Sequence, residues 1–205
     1  MISKNWLMNC KKSRIRIRMN ALPRKFYVND TKQVAKDLLG KKLVRKIGSS
    51  ILSGIIVETE AYKGRNDPAS HAARKKTERN KIMFGEAGHA YVYFTYGMHY
   101  CFNVVAKKES DKSGAVLIRA IQPQQGIQLM IKNRKTDVIA NLTNGPAKLA
   151  QAMQITLKQY NLDLTNSKSL FILDGKKPTK IIAKPRVGIK VGTDKLWNFS
   201  INNHL

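Results

Sequence analysis

The chain has 205 residues, 42% of them hydrophobic, which is enough for one well-formed core and does not demand a second. Its 38 Lys and Arg against 13 Asp and Glu leave a net charge of +25, a surplus that attracts polyanions and makes a phosphate backbone the leading partner. No apolar run approaches the roughly 18 residues of a membrane span, so a membrane protein is excluded as the default reading.

Cys10 and Cys101 are isolated, and His71, His89, His99 and His204 show no ligand spacing. Neither a disulfide framework nor a metal site is expected, and a reducing, intracellular and cytoplasmic setting fits. On charge alone, a basic surface tuned for solubility is the bland alternative to nucleic-acid binding.

Residues 1–21 read as a basic N-terminal arm, dense in cations from Lys11 to Arg18 and lacking the apolar stretch of a secretory signal. A translation start at Met19 and an organellar presequence are the two other readings. One domain is expected over residues 22–205. Asn29-Asp30-Thr31 offers a helix cap, Val34, Ala35, Leu38 and Leu39 recur at helical spacing, and Gly40 is placed to end the helix. Lys42 to Ile47 and Ile51 to Tyr62 then read as strands separated by a Gly-Ser-Ser turn.

In the second strand the two-residue period puts Glu58, Glu60 and Tyr62 on one face and Val57, Thr59 and Ala61 on the other. Acids on a strand are ordinarily solvated. These lie just beyond the apolar Ile55-Ile56-Val57 in a chain poor in acids, which favours a purposeful carboxylate. The aperiodic, cation-rich segment from Lys63 to Gly88 is a long loop, expected to cross the functional face.

Ala90 to Ala106 has the pattern of a hairpin in which Gly97 enables the turn and Tyr96 sits at the tip. Tyr93 and Asn103 are placed to turn toward one pocket. Half-buried sheet packing would explain most of the tyrosines, but it does not explain one at a hairpin tip. Arg119, inside the apolar run Val116 to Ala120, calls for an acidic partner, and Glu60 is the natural one.

Helices are expected around Met130 and after Asn144-Gly145-Pro146, with proline in the first turn. Ser169 to Leu173, Ile181 to Lys184 and Val187 to Val191 read as short strands of an antiparallel meander.

A basic surface, an aromatic wedge and a ring-lined pocket holding a carboxylate are the parts needed to take one base out of a duplex. Such a carboxylate can polarise water for attack at an anomeric carbon. Two other readings compete. One is a noncatalytic nucleic-acid binder with a tyrosine stacking platform, and the other is a hydrolase of free nucleosides or glycans using Glu58 and Glu60, which the charge disfavours.

The chain closely resembles the 3-methyladenine (alkyladenine) DNA glycosylases built without a helix-hairpin-helix motif. The likeness runs through Val57 to Tyr62, His71, Thr77 to Asn80, Tyr91 to Tyr93, Tyr96 to Met98, Asn103, Leu117 to Ala120, Asn144 to Leu149 and Arg186 to Ile189. The resemblance implies an α+β fold: a single domain with a curved, mostly antiparallel β-sheet flanked by helices and a protruding β-hairpin.

It also implies a monofunctional base-excision enzyme, expected as a monomer, acting without a cofactor on double-stranded DNA that contains damaged purines. Carried onto this chain, it gives Glu60 and Arg119 as the catalytic pair and Tyr62, His71 and Tyr93 as the base-stacking groups. Asn103 would discriminate against the amino group of normal guanine, and the backbone at Ile201 would help position the water. Tyr96 and its neighbour Met98 would intercalate.

Overall fold

A computed structural model describes residues 21–201, so all of the 1–21 arm except its last residue, Cys10 included, lies outside the described residues. The first elements are a four-residue helix, α1 (Arg24–Tyr27), and α2 (Thr31–Asp37). Asp30 caps α2 by accepting the Lys32 amide hydrogen at 3.0 Å, satisfying one of the otherwise unpaired donors of the first turn. Val34 and Ala35 of this helix, with Leu38 and Leu39 after it, are buried, and Gly40 at φ +83° turns the chain into the sheet.

Strands β1 (Lys42–Ile47) and β2 (Ser50–Lys63) form the first hairpin, followed by β3 (Ala90–Thr95), β4 (His99–Val105) and β5 (Gly114–Gln125). Helices α3 (Ile127–Arg134) and α4 (Pro146–Ala152) come next, then β6 (Leu170–Leu173), β7 (Ile181–Lys184) and β8 (Asn198–Ile201). Among the described residues the eight strands make one curved antiparallel sheet: six run in the order β3-β4-β5-β2-β1-β6, and β8 pairs with β2 and with β7 off that path. The α+β class and the antiparallel sheet agree with expectation.

The long β2 is the hub. It pairs with β1 from Ser50 to Ile55, with β5 from Ser53 to Lys63, and with β8 at Glu58, Thr59 and Glu60. The β2–β5 register slips on both sides of Glu58, and a bulge of this kind bends a strand and re-aims its side chains.

The main core lies between the sheet and the helices, with Val34, Leu38, Ile56, Ile118, Met130 and Leu149 fully enclosed. Each such aliphatic side chain contributes about 1.5–3 kcal/mol by leaving water. A smaller cluster of Ala72, Ile82, Met83, Tyr91, Val105 and Ala115 sits beneath the loop that follows β2, so that loop has a core of its own.

The C-terminal third differs from the expected meander. Strand β6 pairs with β1, whereas β7 pairs with β8, and Val187 to Val191 form no strand. Gly188 has φ +76°, in the left-handed region outside strand geometry, and the Val187 amide is engaged by a side chain instead of a ladder. Among the described residues no helix is long and apolar enough to cross a membrane.

Candidate active site

The segments converge on a cavity of about 400 Å³ lined by β2, β3, β4, β5 and two loops. That volume is in the range of sites that hold one small organic group. At one side stands Glu60, with no exposed surface. A fully buried carboxylate is tolerated only with compensating donors, and four are present.

Its Oε1 accepts from the Val187 amide at 2.8 Å and from Asn198 Nδ2 at 2.9 Å, with Arg119 Nη1 at 3.4 Å. Among the described residues its Oε2 accepts from the Tyr62 hydroxyl alone, at 2.7 Å. Oε1 is therefore saturated, while Oε2 retains capacity for one more donor.

Glu58 joins the same network. Asn198 Nδ2 reaches its Oε1 at 2.8 Å, Arg119 Nε lies 3.2 Å away and Lys184 Nζ 3.6 Å away. Arg119 thus bridges two acids, whereas the sequence paired it with Glu60 alone. Alternation along β2 explains why Glu58, Glu60 and Tyr62 meet, and Thr59 on the opposite face donates to the Ala35 carbonyl at 2.7 Å, fixing the strand to α2. Burial, then the neighbouring Glu60 charge, pushes the Tyr62 hydroxyl far above its ordinary range, which keeps it a donor.

The other side is aromatic. Tyr93 lies edge-on to His71 with centroids 4.7 Å apart, and the buried Tyr91 shares a 2.8 Å hydrogen bond with His71 Nδ1. Burial of the ring, followed by the Arg79 charge, pushes the imidazole down to about 4, so it is neutral near pH 7 although the residue as a whole keeps exposed surface. Asn80 holds the loop behind it by donating to the carbonyls of His71 at 2.6 Å and Lys75 at 2.9 Å. Asn103 is buried, lines the cavity and is anchored by donating to the Tyr91 carbonyl at 3.0 Å.

Tyr96 stands at the cavity mouth with 84% of its surface exposed. Its φ of +52° and the +65° of Gly97 form the tight turn between β3 and β4. Glycine takes that geometry freely, whereas a tyrosine is held there at a cost of about 1 kcal/mol or more.

The structure thus brings Glu60, Arg119, Tyr62, His71, Tyr93, Asn103 and Tyr96 around one cavity. Met98 is exposed beside the tip and faces a different groove. Ile201 lies on β8 opposite Ile181, packed against the core and away from the cavity lining. Among the described residues no three His, Cys, Asp or Glu side chains are grouped as metal ligands.

Sequence reasoning missed the roles of Tyr91, Asn80, Asn198 and the Val187 amide. Tyr91 and Asn80 lay within patterns that stood out, but nothing local marked Asn198.

The site is thus a ring-lined cavity on a curved antiparallel sheet, with a buried acid at one side and an exposed tyrosine at its mouth. Comparison with known proteins supplies the family. The profile described as methylpurine-DNA glycosylase (MPG) matches residues 25–205. Curated relatives provisionally named 3-methyladenine DNA glycosylase include one from Carboxydothermus hydrogenoformans, 49% identical over 185 residues, covering 89% of this chain and 96% of the relative. Another, from Prosthecochloris aestuarii, is 48% identical over 189 residues, covering 91% and 90%. A third, from Clostridium acetobutylicum, is 45% identical over 196 residues, covering 89% and 95%.

The chain belongs to the methylpurine-DNA glycosylase family and is a DNA glycosylase, a hydrolase of DNA repair. The noncatalytic reading is thereby set aside.

Proposed function

We propose that this enzyme removes alkylated purines, 3-methyladenine among them, from double-stranded DNA by extruding the nucleotide into the cavity and hydrolysing its N-glycosidic bond. The observation that carries this reading is Glu60, buried in the cavity wall, whose Oε2 takes one hydrogen bond, from Tyr62, among the described residues and has capacity to accept a second from a water. That oxygen takes a proton as the water oxygen bonds to C1′; the C1′–N bond breaks, and its electron pair leaves with the base. A positively charged alkylpurine departs neutral, so the leaving group needs little help.

Tyr62, Tyr93 and His71 supply faces and edges for an electron-poor ring, which stacking and cation–π attraction favour. Neutral His71 adds no repulsive charge toward such a base. Tyr96 is placed to fill the gap left in the stack, an aromatic wedge of the kind that holds unstacked duplexes. The net charge of +25 brings the protein to the phosphates. Because water rather than a side chain is the attacking group, the product is an abasic site with both strands intact.

The test is base release from methylated duplex DNA by the wild type and by Glu60→Gln. The wild type is expected to release 3-methyladenine and to leave strands that break only on heating or in alkali. Glu60→Gln is expected to lose about 10³-fold in rate while still binding the lesion, which is within the range for removing a general base. Undiminished turnover in that variant would remove Glu60 from the role.

A further inference from the structure

Of the Arg186 to Ile189 motif, which stands out in the sequence, the site as described so far uses only the Val187 amide. Arg186 is buried, yet it is a cation, and a buried cation is retained only where its partners are fixed. Its guanidinium forms a two-pronged pair with the equally buried Asp67, Nη1 to Oδ2 at 2.7 Å and Nη2 to Oδ1 at 2.6 Å. Nη1 also donates to the Ala61 carbonyl at 2.9 Å. The planar group is sandwiched between two rings, 4.7 Å from the Tyr62 centroid and 5.1 Å from that of Trp197.

We infer that Arg186 is a positioning residue for the reaction, setting the two donors that orient the Glu60 carboxylate. One donor is the Tyr62 hydroxyl on Oε2, whose ring rests on the guanidinium. The other is the amide of Val187, one peptide bond from Arg186, on Oε1. Each oxygen of Glu60 therefore receives a hydrogen bond whose origin is fixed by the same side chain.

The pair with Asp67 extends this control to the loop bearing His71. Asp67 Oδ2 also accepts the Lys63 amide at 3.0 Å, and the next residues, Pro68 and Ala69, line the cavity. One ion pair thus ties together the end of β2, the loop before His71 and the loop at Val187. A lysine cannot replace this arrangement, because a point charge offers neither the planar fork nor the stacking face.

The inference rests on the proposed function, and it is tested by Arg186→Lys in single-turnover release from methylated duplex DNA, using protein shown to be folded by circular dichroism. A loss of about 10–100-fold in the rate constant is expected, as for a misplacement near 1 Å. The acid limb of the pH profile should be displaced, with lesion affinity kept within about threefold of wild type. A variant that only lowers the melting temperature, with rate and pH limb unchanged, overturns the positioning role.

Should Arg186→Lys fail to fold, Trp197→Leu removes the outer face of the sandwich and is expected to lower the same rate constant about fivefold with the same displacement. An unchanged rate there overturns the inference. Absence of release by the wild type would instead sink the proposed function itself.

Discussion

Strands β2, β5 and β8 give the cavity its buried charge, whereas the β3–β4 hairpin gives it rings. On the first side, Arg119 forms ion pairs with Glu58 and Glu60 and Asn198 donates to both acids, with Glu60 and Asn198 fully enclosed. On the second, Tyr91 is buried, Tyr93 is partly covered and Tyr96 is open, so exposure rises steadily toward the tip. A charge network needs every member in place, because an orphaned buried ion costs far more than a solvated one. A row of rings tolerates change at its exposed end, since each ring acts mainly through its own face.

The contrast can be broken first at Arg119. Arg119→Met leaves two adjacent acids without their shared guanidinium and should lower unfolding stability by about 3 kcal/mol, measured by urea denaturation at pH 7. Arg119→Lys, which keeps a cation beside both acids, should lose less. Equal losses in the two variants would mean that the network is not electrostatic.

The hairpin should answer differently. Tyr96→Ala should leave stability nearly unchanged, because the ring is exposed and alanine carries the same left-handed strain, while weakening lesion-duplex affinity by about tenfold, as loss of one stacking contact does. Equal affinity measured by fluorescence anisotropy would count against the wedge.

The smallest expected effect concerns His71, which connects the ring side to the surface. Its imidazole should titrate with a midpoint near 4 by proton NMR, against an unperturbed value of 6.5. The unfolded chain then binds more protons than the native one between those values, so this group costs nothing above about pH 6.5 and destabilises progressively as the pH falls toward 4. Arg79→Ala removes the second cause of the depression and should raise the midpoint slightly, leaving burial as the main cause. A midpoint at 6.5 in the wild type would mean that the ring is solvated and that Tyr91 does not hold it.

The sequence determined the features that depend on local spacing. Alternation in β2 placed Glu58, Glu60 and Tyr62 together, and Gly97 after a run of aromatics placed Tyr96 at a hairpin tip, because strand period and turn chemistry act over a few residues. The residue pattern from Val57 to Asn103, with Arg119, was also sufficient to indicate the family that the profile and the relatives show.

Only the tertiary structure decided how the buried acid is satisfied. Asn198 reaches Glu60 from 138 residues away and Val187 from 127, and Arg186 meets Asp67 across 119. The same separation explains the mistaken strand at Val187 to Val191, whose apolar alternation looked regular locally. Its backbone is instead drawn to the site by the Glu60 carboxylate, since a fully buried carboxylate takes its donors from whichever segment the fold brings near.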